Sequence, residues 1–461
     1  MKRITVALSI VAIVLSLQVA SEAQDSKTAD AARERFKIQH DAAVELMRRE
    51  GHRLNTVEPD ANEDDLRAFE PILKGVQILG VGEATHGTSE FFKFKSRLFR
   101  FLAQNIGFRV LAIEADWSDC IAIDNYVTRG IGNAEKGLCD VGYPHWKREE
   151  ILDLINWMRA YNQTLPKTKY ENTCLHFCGL ENTQPGYPEN WLSEFLLKNC
   201  PTKTAALDDL KRLVKSLTSK KDTSTFQGLL TQSLSKVNAA VQSCARKAGP
   251  DKMLEARRQF SHYSDAILAN NTPNPFASNY RDKSMSKNVE EMRARFGVGS
   301  KIMIWAHNGH VSHPPDTQKW EWIPVGASLH QAYGNRYYAL AQFFLRGSFS
   351  ALDFENRSPT GQSDINQWSR FWVDVPEVKG VDTTCEEAGI GNFFVDFRNV
   401  SSLSLAGKWL QRPHNARECA TGFSDLEKLK WSEPVSLDWF DGLVFIEKTT
   451  AAKSLQCRIS K

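Results

Sequence analysis

Two kinds of pattern alternate along this chain. Four short runs are apolar almost without interruption: "VQILGVGE" (76–83), "RVLAIEAD" (109–116), "LHFCGLEN" (175–182) and "KIMIWAHN" (301–308). Runs of this length, rich in Val, Ile and Leu, predict strands buried on both faces, as in a parallel sheet covered by helices. The stretches between or before them have helical period. "SEFFKFKSRLFRFLAQNIG" and "RDKSMSKNVEEMRARFG" end in glycine and "EEILDLINWMRAYN" ends in asparagine, as helix stops should. Three later runs, "RYYALAQFF", "NFFVDFR" and "GLVFIEK", are expected to complete the sheet.

Between residues 186 and 275 the pattern turns wholly helical, with no strand-like run. The expected fold is therefore α/β: a mostly parallel buried sheet flanked by helices, with a helical insertion (186–275) capping the C-terminal ends of the strands. The core would be formed by 71–185 and 276–455, preceded by a polar helical segment at 24–70. Lys2 and Arg3, an apolar run from Ile4 to Ala20, and small residues at Ser21 and Ala23 predict a secretory leader over 1–23. The mature protein is then expected to be secreted or periplasmic, with no membrane span remaining.

A net charge of +3, with charged residues at 25%, gives no basis for nucleic acid or a polybasic membrane surface as partner. The partner expected is a small molecule. Nine cysteines in an exported chain make disulfides plausible and leave at least one thiol unpaired. The absence of any CxxC argues against a zinc-thiolate site.

The chemistry gathers where the strands end. The first run delivers Glu83 and His86, the second Glu114 and Asp116, the third Glu181, the fourth His307 and His310. In open α/β sheets the strand carboxyl ends form the ligand crevice. Four strands sharing this habit point to one functional cluster. Lys95 falls on the inward stripe of the first helix with Phe91, Leu98 and Leu102, so it is expected to meet Glu83 or Glu114 or to line a polar site. There is no G-x-S-x-G elbow, which argues against a serine acyl-enzyme.

"GEATHGTSEFFKFKSRLFRFL", "GFRVLAIEADWSDCIAIDNYV", "INWMRAYN", "RDKSMSKNV", "WAHNGHV", "GNRYYALAQFF" and "FDGLVFIEKTTAA" together resemble the erythromycin esterase-like family, in family order from about residue 70 to 451. The resemblance implies an ester or lactone hydrolase that uses no cofactor, in which a histidine matching His86 activates water as a general base. It also implies that Glu83, Glu114, His307 and His310 line the same site. Lys95, Asp116 and Glu181 are expected beside them as substrate-binding residues from their places on the first helix and at the strand ends. Two positions depart from the macrolide-opening members. Lys95 stands where they carry arginine, and Glu181 where aspartate is more usual.

Two other readings use the same residues. Histidines among carboxylates also suit a divalent metal, giving a metal-dependent hydrolase. A secreted metal- or haem-binding protein would draw on Trp117, Trp146, Trp320 and Trp322 around the site.

Overall fold

A computed structural model describes residues 30–168, 170–216, 224–315, 321–355, 368–419, 421–424 and 433–457. The expected leader and Trp320 lie outside these residues. In chain order the strands are β1 (His52–Arg53), β2 (Ile78–Val81), β3 (Phe108–Asp116), β4 (His176–Glu181), β5 (Lys301–Trp305), β6 (Tyr337–Asp353), β7 (Trp368–Val373), β8 (Phe393–Asp396), β9 (His414–Ala416), β10 (Gly422–Phe423), β11 (Glu433–Val435) and β12 (Gly442–Thr449). The four apolar runs of the sequence are β2, β3, β4 and β5.

Among the described residues the main sheet runs β1-β8-β12-β6-β2-β5-β3-β4, with β7 and β10 both joined to the far half of β6. The pairs from β12 through β4 are all parallel. Antiparallel pairing is confined to β8 with β1 and β12, and to β6 with β7. The sheet is thus mixed and mostly parallel, as expected.

Alternation along each central strand divides the core in two. Leu79, Val81, Leu111, Ile113, Met303 and Trp305 face one apolar cluster, which the helices Ser89–Asn105 and Glu149–Thr164 complete. Ile78, Val110, Ala112, Ile302 and Ile304 face the other, against Met285, Val289 and Met292 of the helix Phe276–Phe296. Both faces being covered is why these strands read as unbroken apolar runs rather than as alternation. Each large apolar side chain so buried contributes about 1.5–3 kcal/mol.

The helical insertion forms a third apolar cluster of its own, from Leu192 to Ile267. It abuts the C-terminal end of β4, where Asn270 Nδ2 donates to the Thr183 carbonyl at 2.7 Å. β6 runs nine residues beyond the apolar stretch that marks it in the sequence. Gly347, with φ at +127°, bends it where β12 ends, and the continuation pairs with β7 instead. Two disulfides, Cys139–Cys457 and Cys200–Cys244, leave five buried cysteines outside any disulfide. No helix among the described residues is long and apolar enough to cross a membrane.

Candidate active site

The loop that leaves β2 carries Glu83 and His86 and is fixed by close packing. A Cβ at Gly82 would overlap the Asn308 side chain, and one at Gly87 would overlap the Ser350 carbonyl. The Gly87 carbonyl accepts from Ser350 N and Ala452 N, each at 2.9 Å, and the Ala84 carbonyl from Cys419 N at 2.6 Å. Strand β6 and the C-terminal segment therefore hold this loop from two sides.

Glu83 is fully buried and every bond it accepts has a defined donor. Oε1 lies 2.7 Å from His86 Nδ1, while Oε2 accepts from Lys95 Nζ at 2.8 Å and from Trp305 Nε1 at 2.9 Å. A carboxylate at Nδ1 puts the proton there and leaves the lone pair on Nε2, the nitrogen available for work at the cavity. Burial lowers the Lys95 pKa to about 8, against the pull of Glu83 and Glu114. The sequence allowed Lys95 to reach substrate. Instead it lies beneath Glu83, outside the cavity wall, and acts as the carboxylate's counter-ion.

A second network centres on Arg281 of the helix Phe276–Phe296. Its guanidinium grips Glu181 bidentately, Nε at 2.7 Å and Nη2 at 2.9 Å, and Nη2 also donates to Glu114 Oε1 at 2.7 Å. The other oxygen of Glu114 accepts from the His307 backbone N–H at 2.8 Å. Burial acts to raise the Glu114 pKa, but His310, Arg281 and His86 bring it well below the usual carboxylate range.

His310 Nδ1 lies 2.8 Å from Asp282 Oδ1, and its Nε2 is 2.7 Å from Arg281 Nη1 and 3.3 Å from Glu114 Oε1. As a neutral ring it accepts from Arg281. Once protonated it must turn that bond to Glu114. Burial disfavours the cation, but Asp282 and Glu114 overcome this and lift the pKa to about 10. His307 is the opposite case. Burial and the neighbouring His86 bring its pKa to about 3 against the pull of Glu114, so it is neutral. Its Nδ1 accepts from Gly309 N at 3.2 Å, which leaves Nε2 with the proton and without a hydrogen-bond partner.

These groups surround a cavity of about 500 Å³ at the C-terminal ends of the central strands, walled by His86, Glu114, Arg281, His307, His310 and, above them, Tyr143, His145, Trp322 and Trp368. Of the residues the sequence singled out, His86, Glu114, His307 and His310 face the cavity, while Glu83, Lys95 and Glu181 stand directly behind. Asp116 is outside the cavity lining, and its carboxylate is engaged by neighbouring backbone. Oδ1 caps the helix Trp117–Arg129 by accepting from Ser118 N, and Oδ2 accepts from Thr183 N and Gln184 N. A strand-end carboxylate before a helix serves as an N-cap as readily as a ligand. No described residue of the insertion is in the wall, although the insertion touches the loop beside it. Among the described residues no three His, Cys, Asp or Glu side chains are grouped to hold a metal ion.

Residues 103–449 match the erythromycin esterase family. The chain belongs to that family. It is 23% identical to the erythromycin esterase type II of Escherichia coli over 376 residues, 74% of this chain and 85% of that one. A stretch of 104 residues is 29% identical to the putative hydrolase YbfO of Bacillus subtilis (strain 168), covering 23% of each chain. Among solved structures, a Bacillus cereus protein superposes with a TM-score of 0.73 at 21% identity, over 90% of this chain and 99% of that one. An erythromycin esterase, EreC, in the open conformation of a mutant, superposes with a TM-score of 0.65 at 16% identity, over 88% and 99%. At these identities the structural likeness establishes the fold, and family membership supports a hydrolase.

In this member of the erythromycin esterase family several residues of the site had been given no role from the sequence, although Arg281 and Asp282 open the family segment "RDKSMSKNV". Arg281 and Asp282 lie in a strongly polar helix, where charges read as solvent-facing. His145 stacks on His86 with ring centroids 4.5 Å apart and planes 14° apart, yet comes from a short turn with no strand before it. Of the tryptophans considered, Trp322 is in the wall. Trp146 is buried with its N–H on the Glu114 carbonyl at 2.8 Å, and Trp117 packs against His262. Trp368, from the unforeseen β7, completes the roof.

Proposed function

We propose that the protein hydrolyses a carboxylic ester or lactone, with His86 as the general base. The observation that carries this reading is the 2.7 Å contact of Glu83 with His86 Nδ1, which aims the other ring nitrogen at a cavity with cations on its far side. Water bound there gives its proton to Nε2 while its oxygen attacks the carbonyl carbon. Glu83 stabilises the imidazolium that forms, as the buried aspartate does in a catalytic triad. His307 Nε2, a buried N–H without a partner, donates to the oxyanion, and Arg281 and His310 supply positive charge. As the tetrahedral intermediate collapses, the carbon–oxygen bond breaks and the His86 proton passes to the leaving alkoxide.

The carboxylates that would serve a metal already have cationic partners: Glu83 holds Lys95, while Glu181 and Glu114 hold Arg281. This supports a reaction without a metal cofactor. The leader pattern and the two disulfides support export. Macrolide lactones belong in the first substrate panel because an erythromycin esterase of Escherichia coli is a relative. The test is to incubate pure protein with macrolides, simple lactones and esters, with and without EDTA, and to weigh the products. A gain of one water by a lactone, or cleavage of an ester into acid and alcohol, at equal rates in EDTA, is expected. Turnover that EDTA abolishes and a divalent ion restores would replace this reading with the metal-dependent one. Ligand binding with no hydrolysis across the panel would replace it with a binding protein.

A further inference from the structure

The wall of the catalytic cavity does not end at Trp322. Gly309, Trp322 and Glu418 also border a second cavity of about 460 Å³, so the two chambers share one edge. Its other walls are apolar: Pro413, Pro434, Val435, Trp439 and Phe440. They come from the short antiparallel pair β9–β11 and the segment after it, an element with no side chain in the reacting network. The one hydroxyl there, Ser312 Oγ, is spent on the Gly309 carbonyl at 2.8 Å. At the shared edge the backbone carries no side chain. A Cβ on Gly309 would lie 3.1 Å from the Trp322 ring and 3.4 Å from His307 Nδ1, so glycine keeps this edge low.

We infer that the substrate site has two chambers and that the second receives an extended aliphatic substituent of the ester or lactone. This rests on the esterase reading for the first chamber. The occupant follows from the walls. The proline, valine and phenylalanine side chains carry no polar atom and tryptophan only its indole N–H, so a charged or strongly polar substituent would lose most of its hydration there without replacement. An aliphatic chain loses nothing and gains from each buried methylene. Continuity with the first chamber selects part of the substrate itself as occupant: the apolar walls of the second chamber begin where Gly309 and Trp322 border both.

The test uses a homologous series of straight-chain methyl ketones, from butanone to decanone, titrated into the full chain by calorimetry. Ketones present a carbonyl but cannot be hydrolysed. Affinity should tighten up to roughly fourfold per methylene. Pro413→Trp, at the exposed rim, and Val435→Phe, in the wall, fill the second chamber from different sides. In each variant that melts cooperatively the length dependence should flatten, while hydrolysis of a short acetate ester stays at the wild-type rate. Affinity independent of length in the wild type overturns the inference. So does a length dependence that survives undiminished in the folded variants. A length dependence in a protein that turns over no ester would reject the esterase reading and leave the aliphatic chamber standing.

Discussion

Oε1 of Glu83 lies 2.7 Å from Nδ1 of His86, with the carboxylate wholly buried and the imidazole 3% exposed. A bond this short in a place this dry fixes the ring's tautomer and direction before any substrate arrives. The arrangement depends on Glu83 being ionised, and that in turn depends on the lysine at its other oxygen.

Lys95 is thus expected to set the alkaline limit of the reaction. Burial has lowered its pKa to about 8, so above that pH the ammonium loses its proton and Glu83 loses its counter-ion. The profile of kcat/KM against pH should fall with a midpoint near 8 in the wild type. Lys95→Arg, always charged, should move that limb upward by more than one pH unit. Lys95→Met should cost about 3–5 kcal/mol of stability, because it leaves a buried charge unpaired. An alkaline limb that stays in place in Lys95→Arg would separate Lys95 from the catalytic unit.

His310 makes stability depend on pH in the opposite sense. Its folded pKa of about 10 lies above the ordinary imidazole value of 6.5, so the folded chain holds a proton that the unfolded chain releases. The stabilisation is complete below pH 6.5 and is lost as pH rises towards 10, at about 1.4 kcal/mol per pH unit. Lys95, with its lowered pKa, has the reverse slope above pH 8, while the raised His176 and Asp382 share the sense of His310, so the two proteins are compared over pH 6.5 to 8. Over that span urea melts should show about 2 kcal/mol more lost by the wild type than by His310→Gln. Equal slopes in the two proteins would show His310 to be neutral.

Arg281 is expected to be irreplaceable by lysine. Its fork serves Glu181 through two bonds and Glu114 through a third, which an ammonium cannot do. Arg281→Lys should lose about 1.5–3 kcal/mol of stability for the charged hydrogen bonds it drops, and at least tenfold in kcat/KM. Wild-type values for both in the lysine variant would remove Arg281 from the site's working parts.

The sequence made the frame legible because the central strands are buried on both faces. Continuous apolar runs can end only where polarity is useful, and Glu83, Glu114 and Glu181 stand at those ends. What stayed hidden was the half of the site that comes from elsewhere. Arg281 reaches the cavity, and Asp282 the far side of His310, from a helix whose charges show no periodic contrast, and His145 arrives on a one-turn segment. Asp116 shows the limit in the other direction: its position at a strand end suited a ligand, but the local bonds made it a helix cap and loop anchor. The second half of β6 reads as loop because Gly347 breaks the apolar pattern at the bend it creates.

The disulfide Cys139–Cys457 ties down the segment that braces the catalytic loop through Ala452 and the cavity roof through Lys453 and Leu455. Denatured protein should titrate five thiols before reduction and nine after. Closing a chain segment of 318 residues stabilises by roughly 6 kcal/mol at most in the chain-entropy account. Dithiothreitol, or Cys457→Ser, should lower the denaturation midpoint and slow ester turnover together. A midpoint unaffected by reduction would show the brace to be superfluous.

The most direct measurement of the central claim is kcat/KM for an ester that the wild type hydrolyses, repeated on His86→Ala with the fold verified by circular dichroism and a cooperative melt. If the imidazole takes the proton from water, the variant should lose about 10²–10⁴-fold with its midpoint close to that of the wild type. A folded His86→Ala protein that retains the wild-type rate would contradict the account.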